Sequence, residues 1–220
     1  MSEGFQGTIA VVGGSGDLGS AIARRLAKAG RKVIIGSRAA DSAAAAAERL
    51  GFGISGLANA DAAAAADLVI VTVPFAAQET TLGAIAAHVV GKIVVDTTVP
   101  LVPPRVMRVQ LPPEGSAAVK AQGLLGEGVT VVSAFHNVAA HKLIKDAEVE
   151  CDVLVFGDDK AARGTVVGLV RDCGLRGLHG GALANSAAAE ALTSILIFVN
   201  KTYAVDGAGI RITGGLTEPA

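Results

Sequence analysis

Runs of β-branched residues alternate with alanine-rich helical stretches along almost the whole of this 220-residue chain. The stretch after the first run carries Leu18, Ile22 and Leu26 on one face, at the spacing of an amphipathic helix. Repeated strand–helix–strand units with right-handed crossovers build a doubly wound parallel α/β sheet. Strands are predicted at residues 8–12, 32–35, 68–73, 93–96, 129–134, 153–156 and 175–178. Helices are predicted at residues 18–29, 43–50 (capped by Asp41 and Ser42), 61–66, 78–90, 116–125, 159–172 and 184–203.

Hydrophobic residues make up 51% of the chain, and the mean hydropathy is +0.52. Disordered chains are poor in apolar residues, so this class is excluded. A membrane-spanning helix needs about 18 uninterrupted apolar residues. We expect none here, because Asp61 and Asp67 bracket one alanine run, and Asn185 and Glu190 interrupt the last apolar stretch. A compact soluble protein is predicted.

Charge and cysteine content narrow the function classes further. A net charge of −1 gives no basic surface for nucleic acid or an anionic membrane. The start of the chain lacks the features of a signal peptide, so a cytoplasmic location is expected. Cys151 and Cys173 lie outside any CxxC spacing, and none of the four histidines lies two to four residues from a cysteine, so we expect two buried thiols and no metal site.

A glycine-rich loop follows the first predicted strand and opens the first helix. Its glycines, Gly14, Gly16 and Gly19, match the GxGxxG pattern of dinucleotide-binding loops in the required strand–loop–helix context. The first makes the tight turn, the second lets the backbone approach a pyrophosphate, and the third allows close helix–strand contact. The helix N-terminus adds free N–H groups for the phosphates. We predict that the loop residues Ser15, Asp17 and Leu18 also border the dinucleotide; a glycine-rich turn without a ligand is the alternative.

The end of the second strand indicates which dinucleotide is bound. NAD-binding proteins place Asp or Glu there to bind the ribose 2′-hydroxyl, but this chain has Ser37 and Arg38. Arginine pairs well with a 2′-phosphate, and serine can donate to it, so NADP is favoured over NAD. A solvated charge at a strand end is the alternative for Arg38. We expect a Rossmann-type NADP-binding domain over residues 1–180 and a small C-terminal helical domain over residues 181–220.

Taken together, these blocks resemble the coenzyme F420-dependent NADP oxidoreductases along nearly the whole chain. The matching blocks are Gly-Gly-Ser-Gly-Asp-Leu-Gly at 13–19, Gly-Ser-Arg at 36–38, Thr-Val-Pro-Phe at 72–75, Val-Val-Ser-Ala-Phe-His-Asn at 131–137, Gly-Asp-Asp at 157–159, Ala-Asn-Ser at 184–186, Glu-Ala-Leu-Thr at 190–193 and Gly-Ile-Arg-Ile at 209–212. The first two are common to many NADP-binding folds. The histidine block and the C-terminal blocks are more specific to the family.

The resemblance implies hydride transfer between NADP(H) and the deazaflavin coenzyme F420, in a cytoplasmic homodimer. Such a reaction needs the two rings to stack within about 3–3.5 Å and water to be excluded, with no nucleophile or metal from the protein. No catalytic side chain is therefore assigned, and His136 is the one candidate assistant. The absence of nucleophile and metal-ligand motifs in the sequence agrees with this chemistry.

The resemblance also implies where the two cofactors bind. Thr72, Val73 and Pro74 would lie beneath the nicotinamide ribose, with Phe75 as a pocket wall. His136, Asn137 and Val138, after a later strand, would border the deazaflavin. Asn185 and Ser186 would contact polar edges of either cofactor. For Pro74 and Phe75 the alternative is a strand end with a core aromatic; for His136 it is a structural histidine, and for Asn185 and Ser186 a helix cap.

The chain departs from the family pattern at several positions. Ala39, Ala40 and Ser42 stand where family members carry further basic residues, and Ala139 and Ala187 replace proline and arginine. Two other functions therefore stay open: an NADP-dependent reductase of a small imine, ketone or flavin, and a non-catalytic NADP sensor. The proline-rich segment 97–115 is predicted to be a loop that covers a ligand.

Overall fold

The computed structural model describes residues 5–217, which form one mixed α/β sheet structure. The strands are β1 (Thr8–Val12), β2 (Lys32–Ser37), β3 (Ser55–Ala58), β4 (Leu68–Val71), β5 (Ile93–Asp96), β6 (Thr130–Ser133), β7 (Asp152–Phe156) and β8 (Arg176–Gly181). The helices are α1 (Asp17–Lys28), α2 (Ala40–Leu50), α3 (Asn59–Ala65), α4 (Phe75–Ile85), α5 (Ala117–Leu125), α6 (Ala140–Leu143), α7 (Lys160–Asp172) and α8 (Ser186–Tyr203). Short 3-10 turns follow α4 (Ala86–His88) and precede α8 (Leu183–Asn185).

The sheet has the strand order β3-β2-β1-β4-β5-β6-β7-β8. The first six strands run parallel, as the alternating sequence predicted. Strand β7 pairs antiparallel with β6, and β8 runs parallel to β7, so the last two strands are reversed relative to the prediction of an all-parallel sheet. The chain order reverses between β1 and β4, and ligands of open α/β sheets bind at the carboxyl ends of strands at such a point.

Two buried apolar layers cover the faces of the sheet. In β1, Ile9 and Val11 point into the layer formed with α1, α2 and α7. Ala10 and Val12 point into the opposite layer, formed with α3, α4 and α5. Strands covered on both faces need apolar residues at every position, which explains their uninterrupted hydrophobic runs.

Three local expectations were wrong. Helix α2 begins at Ala40 with Ala39 as its N-cap, so Asp41 and Ser42 lie inside its first turn and do not cap it. Helix α4 begins at Phe75, directly after its N-cap residue Pro74, because the missing N–H of proline leaves no helical hydrogen bond unmade at this end. Strand β3 was not predicted because its residues, Ser-Gly-Leu-Ala, have little β-propensity and form a partly exposed edge strand.

The C-terminal helix does not fit the expectation that no apolar stretch of the chain is long enough to cross a membrane. The stretch Leu183–Tyr203 is long and apolar enough to cross a membrane, and 28% of its apolar window is buried. Asn185 and Glu190 were expected to exclude such a stretch. By length and composition they do not, so this expectation was wrong. One helix of this kind is weak evidence for a membrane protein, and Glu190 is only 1% exposed, since it lies against another helix.

Candidate functional site

The glycine loop after β1 is packed closely against the end of β4, and side chains at Gly13 or Gly19 would clash there. The Gly14 N–H donates to the carbonyls of Val11 and Gly36, each at 3.0 Å, which fixes the turn between β1 and β2. A Cβ atom at Gly19 would lie 2.4 Å from Thr72 Oγ1, closer than real Cβ atoms approach a neighbour. Helix α1 can therefore start close to both strands only with glycine here, which is the geometry that a dinucleotide pyrophosphate requires.

The N-terminus of α1 is open to an anionic ligand. Gly16 is the N-cap residue, and it makes no side-chain cap hydrogen bond. Ser20 Oγ donates to the Gly14 carbonyl at 2.9 Å, which ties the first turn of the helix back to the loop. The uncapped first-turn N–H groups and the positive end of the helix dipole favour phosphate. The exposed Ser15 and Asp17 line a cavity of about 650 Å³ beside this turn.

Ser37 and Arg38 lie at the carboxyl end of β2, beside the loop. Ser37 Oγ is 3.3 Å from Ser15 Oγ, so the two hydroxyls lie side by side. The Arg38 side chain is exposed, and within residues 5–217 it makes no hydrogen bond or ion pair. A guanidinium without an internal partner at this edge is available to a 2′-phosphate.

Residues 72–75 follow β4 and face the glycine loop. Thr72 Oγ1 donates to the Val12 carbonyl at 3.0 Å, which joins the ends of β1 and β4. A Cβ atom at Gly13 would lie 2.8 Å from Val73 Cγ1. The structure therefore brings this segment and the loop together, as the strand order at the switch point requires.

Pro74 is exposed, and Phe75 opens α4 immediately after it. Phe75 is half-buried, and Lys120 Nζ lies 5.5 Å from the centre of its ring. Both residues are thus at the carboxyl edge of the sheet and outside the two apolar layers. The alternative of a core aromatic at position 75 does not describe this placement.

The segment after β6 is a tight turn that buries its histidine. Phe135 has a φ of 66°, a left-handed conformation that is uncommon outside glycine. This turn returns the chain so that His136 Nε2 lies 2.6 Å from Ser133 Oγ. Burial lowers the pKa of His136 to about 4, because the charged ring would lose its hydration. His136 is therefore neutral at physiological pH.

The next residue ties this turn to the C-terminal helix. Asn137 Nδ2 donates to the Ala189 carbonyl at 3.1 Å and to Thr193 Oγ1 at 3.2 Å. Thr193 Oγ1 in turn donates to the His136 carbonyl at 2.9 Å. A cavity of about 220 Å³ is lined by His136, Asn137, Val138 and Thr193, among others. His141 borders both this cavity and the one beside the glycine loop, so the two lie next to each other.

Asn185 and Ser186 make contacts away from these cavities. Asn185 Nδ2 donates to the Gly180 carbonyl at 3.1 Å, and no side-chain bond caps α8. Ser186 is fully buried, with its hydroxyl 2.9 Å from Ser116 Oγ. Asn185 is thus the N-cap residue of α8 by position, but its side chain makes no capping hydrogen bond. The contact of both residues with a cofactor stays a prediction.

One residue at the site was missed by the sequence reasoning. Asn59 begins α3, and its Oδ1 accepts from the Gly13 N–H at 3.4 Å. It also lies where a side chain at Gly36 would project. Asn59 directly follows strand β3, at the carboxyl edge of the sheet. Recognising that strand would have indicated a site position at Asn59. Between residues 5 and 217 we found no cluster of His, Cys, Asp or Glu suited to a metal ion, and Cys151 and Cys173 are buried, free thiols.

Comparison with known proteins places this arrangement in a family. Residues 8–100 match the family model described as "NADP oxidoreductase coenzyme F420-dependent". The F420-dependent NADP reductase of Methanothermobacter thermautotrophicus is 40% identical over 218 residues, covering 93% of this chain and 94% of the relative. The chain belongs to the coenzyme F420-dependent NADP oxidoreductase family. The resemblance inferred from the sequence blocks is thereby confirmed.

Further members of the family agree over their whole length. The F420-dependent NADP reductase of Methanocaldococcus jannaschii is also 40% identical, over 93% of this chain and 97% of its own. A crystal structure of an Arthrobacter protein assigned as an F420-dependent NADP reductase superposes with a TM-score of 0.82 at 27% identity. It covers 94% of this chain and 100% of the Arthrobacter chain, so the C-terminal helix belongs to the shared fold.

Proposed function

We propose that the protein is an oxidoreductase that transfers a hydride between NADP(H) and coenzyme F420. The observation that carries this proposal is the 40% identity, over 93% of the chain, to two F420-dependent NADP reductases. The glycine loop fits a dinucleotide, because Gly19 leaves no space for a side chain against Thr72 and α1 starts without a side-chain cap. Family membership makes a non-catalytic sensor, or a reductase of another small acceptor, the weaker alternative.

In this proposal the two cofactors supply the redox chemistry, since a hydride passes from the nicotinamide to the deazaflavin or back. The chain's part is to bind, align and shield the rings. The glycine loop and Arg38 hold NADP(H), and residues 72–75 support its nicotinamide end. The turn at His136–Val138 borders the deazaflavin. A neutral, buried His136, fixed by Ser133, provides polar contact without a charge beside the transferred hydride.

The experiment that tests this function is a direct assay. Purified protein is mixed with NADPH and oxidised F420, and the loss of deazaflavin absorbance is followed. Turnover is expected with F420 and not with a free flavin or a cyclic imine. Turnover with a flavin or an imine, together with none with F420, would contradict the proposal.

Arg38→Ala is expected to reduce the preference for NADP over NAD. Loss of one charge-assisted contact to the 2′-phosphate costs about 1.5–3 kcal/mol, which is about 10- to 150-fold in affinity. The affinity for NAD should change little, because NAD has no phosphate there. The measurement is the ratio of the two dissociation constants, with Arg211→Ala as the control, since Arg211 is exposed and paired with Glu150. An unchanged ratio in Arg38→Ala would remove Arg38 from the site.

We also propose a cytoplasmic homodimer in which residues 181–220 provide the wall of the pocket and the contact with the second copy. Ile195 and Phe198 on α8 are about half exposed. The proline-rich segment beside them, joined to α8 by Ser194 Oγ and the Arg108 carbonyl, exposes further apolar residues, Val102, Met107, Val109 and Leu111. Sedimentation equilibrium should give twice the mass of the 21.9 kDa chain. We propose no membrane or nucleic-acid partner, in line with the net charge of −1.

A further inference from the structure

Glu190 is a buried carboxylate that joins the C-terminal helix α8 to helix α5. It is only 1% exposed, and its two oxygens accept from the N–H groups of Ala117 at 2.6 Å and Ala118 at 3.2 Å. These are the first residues of α5, where the helix dipole is positive. No lysine, arginine or histidine within residues 5–217 forms an ion pair with it. The N-terminus of α5 is therefore the main group that stabilises the negative charge of Glu190.

Helix α5 is joined in turn to the strands that carry the NADP side of the site. The Ala117 carbonyl accepts from Gln78 Nε2 at 3.0 Å, and the same nitrogen donates to Asp96 Oδ2 at 2.7 Å. Gln78 lies one turn into α4, which opens at Phe75, and Asp96 ends β5. All three side chains, Gln78, Asp96 and Glu190, are almost completely buried. A continuous polar chain thus links the start of α4 to α8.

On another side of α8, the residues next to Glu190 hold the turn assigned to the deazaflavin. The Ala189 carbonyl and the Thr193 hydroxyl bind the Asn137 amide, and Thr193 also binds the His136 carbonyl. Positions 189, 190 and 193 fall within about one helical turn, so a shift of α8 at Glu190 moves the supports of this turn as well. The contact of Glu190 with α5 therefore fixes one half of the site relative to the other.

We infer that Glu190 is a positioning residue for hydride transfer, which holds α8, and through it the His136–Val138 turn, at a fixed distance from the nicotinamide end of the site. This inference rests on the proposed function. It follows from geometry, because hydride transfer depends on ring separation and a misplacement of about 1 Å can cost about 100-fold in rate. Glu190 touches neither cofactor in this scheme and acts only through the helices.

A buried carboxylate is suited to this task because its removal leaves buried hydrogen-bond donors without an acceptor. Without it, two buried N–H groups at the start of α5 have no acceptor, and buried donors without a partner are strongly unfavourable. The helix pair would then reorganise or admit water. A purely apolar contact would let α8 slide along α5. Two directional hydrogen bonds instead fix one position of α8 relative to α5.

The test compares Glu190→Ala and Glu190→Gln with Glu79→Gln. Glu79 is the matched control, because it also contacts α5, through Lys120, but is exposed. NADPH affinity should stay at the wild-type value in all three variants. In Glu190→Ala, kcat should fall and KM for F420 should rise, so that kcat/KM falls by about tenfold or more. Glu190→Gln keeps one acceptor oxygen and should lose less, and Glu79→Gln should lose nothing.

Two outcomes would overturn the inference while leaving the function intact: wild-type kcat and KM in Glu190→Ala, or a parallel loss of NADPH affinity, which would indicate general unfolding. If Glu190→Ala does not fold, Glu190→Gln carries the same comparison. Hydrogen exchange of the peptide spanning residues 134–143 provides a readout independent of turnover, and it should accelerate in the Glu190 variants alone. A wild-type protein inactive with F420 refutes the proposed function instead, and unchanged exchange in the variants refutes the positioning role.

Discussion

Replacing Gly19 with valine is expected to abolish NADPH binding. A Cβ atom at this position would lie 2.4 Å from Thr72 Oγ1, 2.7 Å from Gly14 Cα and 2.8 Å from the Gly13 carbonyl oxygen. Two of these three atoms belong to the backbone, so no side-chain rotation relieves the clash. Helix α1 must move away from the loop, and its N-terminal N–H groups move with it. Loss of hydrogen bonds from these N–H groups to the charged pyrophosphate, at about 1.5–3 kcal/mol each, corresponds to a loss of NADPH affinity on the order of 100-fold or more.

The dissociation constant of NADPH, measured by fluorescence titration, tests this expectation. Gly168→Val is the matched control, because Gly168 is also within a helix, but a Cβ atom there would meet no neighbouring group within 4 Å. Overpacking at Gly19 should also lower the free energy of unfolding by about 1–3 kcal/mol. A Gly19→Val protein that binds NADPH as tightly as the wild type would show that α1 and the loop do not form the pyrophosphate site.

The parts of the fold that could be predicted are those with a local sequence cause. The unit β1–α1–β2 follows from one apolar run, a helical spacing and three glycines. Strand β3 could not be predicted from Ser55–Ala58, because its place depends on Gly56 allowing helix α2 to come close: a Cβ there would lie 2.3 Å from the Ala43 carbonyl carbon. The reversal of β7 depends on the path of the segment between β6 and β7, which has no strand or helix periodicity to indicate direction.

The site was predictable to a similar extent. The positions of the glycine loop and of Arg38 follow from the glycine spacing together with the strand–loop–helix context. The partner of His136 is not, since it depends on the left-handed conformation of Phe135, which propensities do not predict. Glu190 looked like an interruption of an apolar stretch in the sequence. Its partners lie 72 and 73 positions away along the chain, and only the packing of α8 on α5 brings them together.

The two buried carboxyls are expected to make the protein less stable as pH rises. Burial raises the pKa of Asp96 from 3.8 to about 6 and that of Glu190 from 4.5 to about 7, and the mutual repulsion of the two groups adds to the latter shift. The folded protein therefore keeps protons that the unfolded chain has already released. The stability from this source is fully present below about pH 4 and is lost as pH rises through about 6 to 7.

His136 acts in the opposite sense over part of the same range. Its pKa is lowered from 6.5 to about 4, so the stability of its neutral, buried form is present above pH 6.5 and is lost as pH falls towards 4. The pH dependence of the wild type alone therefore mixes the two effects. Asp96→Asn and Glu190→Gln each remove one titrating carboxyl and keep the His136 imidazole, so the part of the pH dependence that a variant loses is attributed to the carboxyl it lacks.

The measurement is the free energy of unfolding by urea at about pH 5 and about pH 8, for the wild type and for both variants. Each variant should gain stability relative to the wild type between the two conditions, by on the order of 1–3 kcal/mol, because the amide carries no charge that must stay buried. The amide makes the same hydrogen bonds at both pH values, and the stronger hydrogen bonds of the ionised wild-type carboxylate are already included in the shift of its pKa. The exposed Glu79→Gln should show no such change. The stability difference between Glu190→Gln and the wild type could instead be the same at both pH values. The Glu190 carboxyl would then ionise in the folded protein as easily as in the unfolded chain, because the two N–H groups of α5 fully compensate its burial.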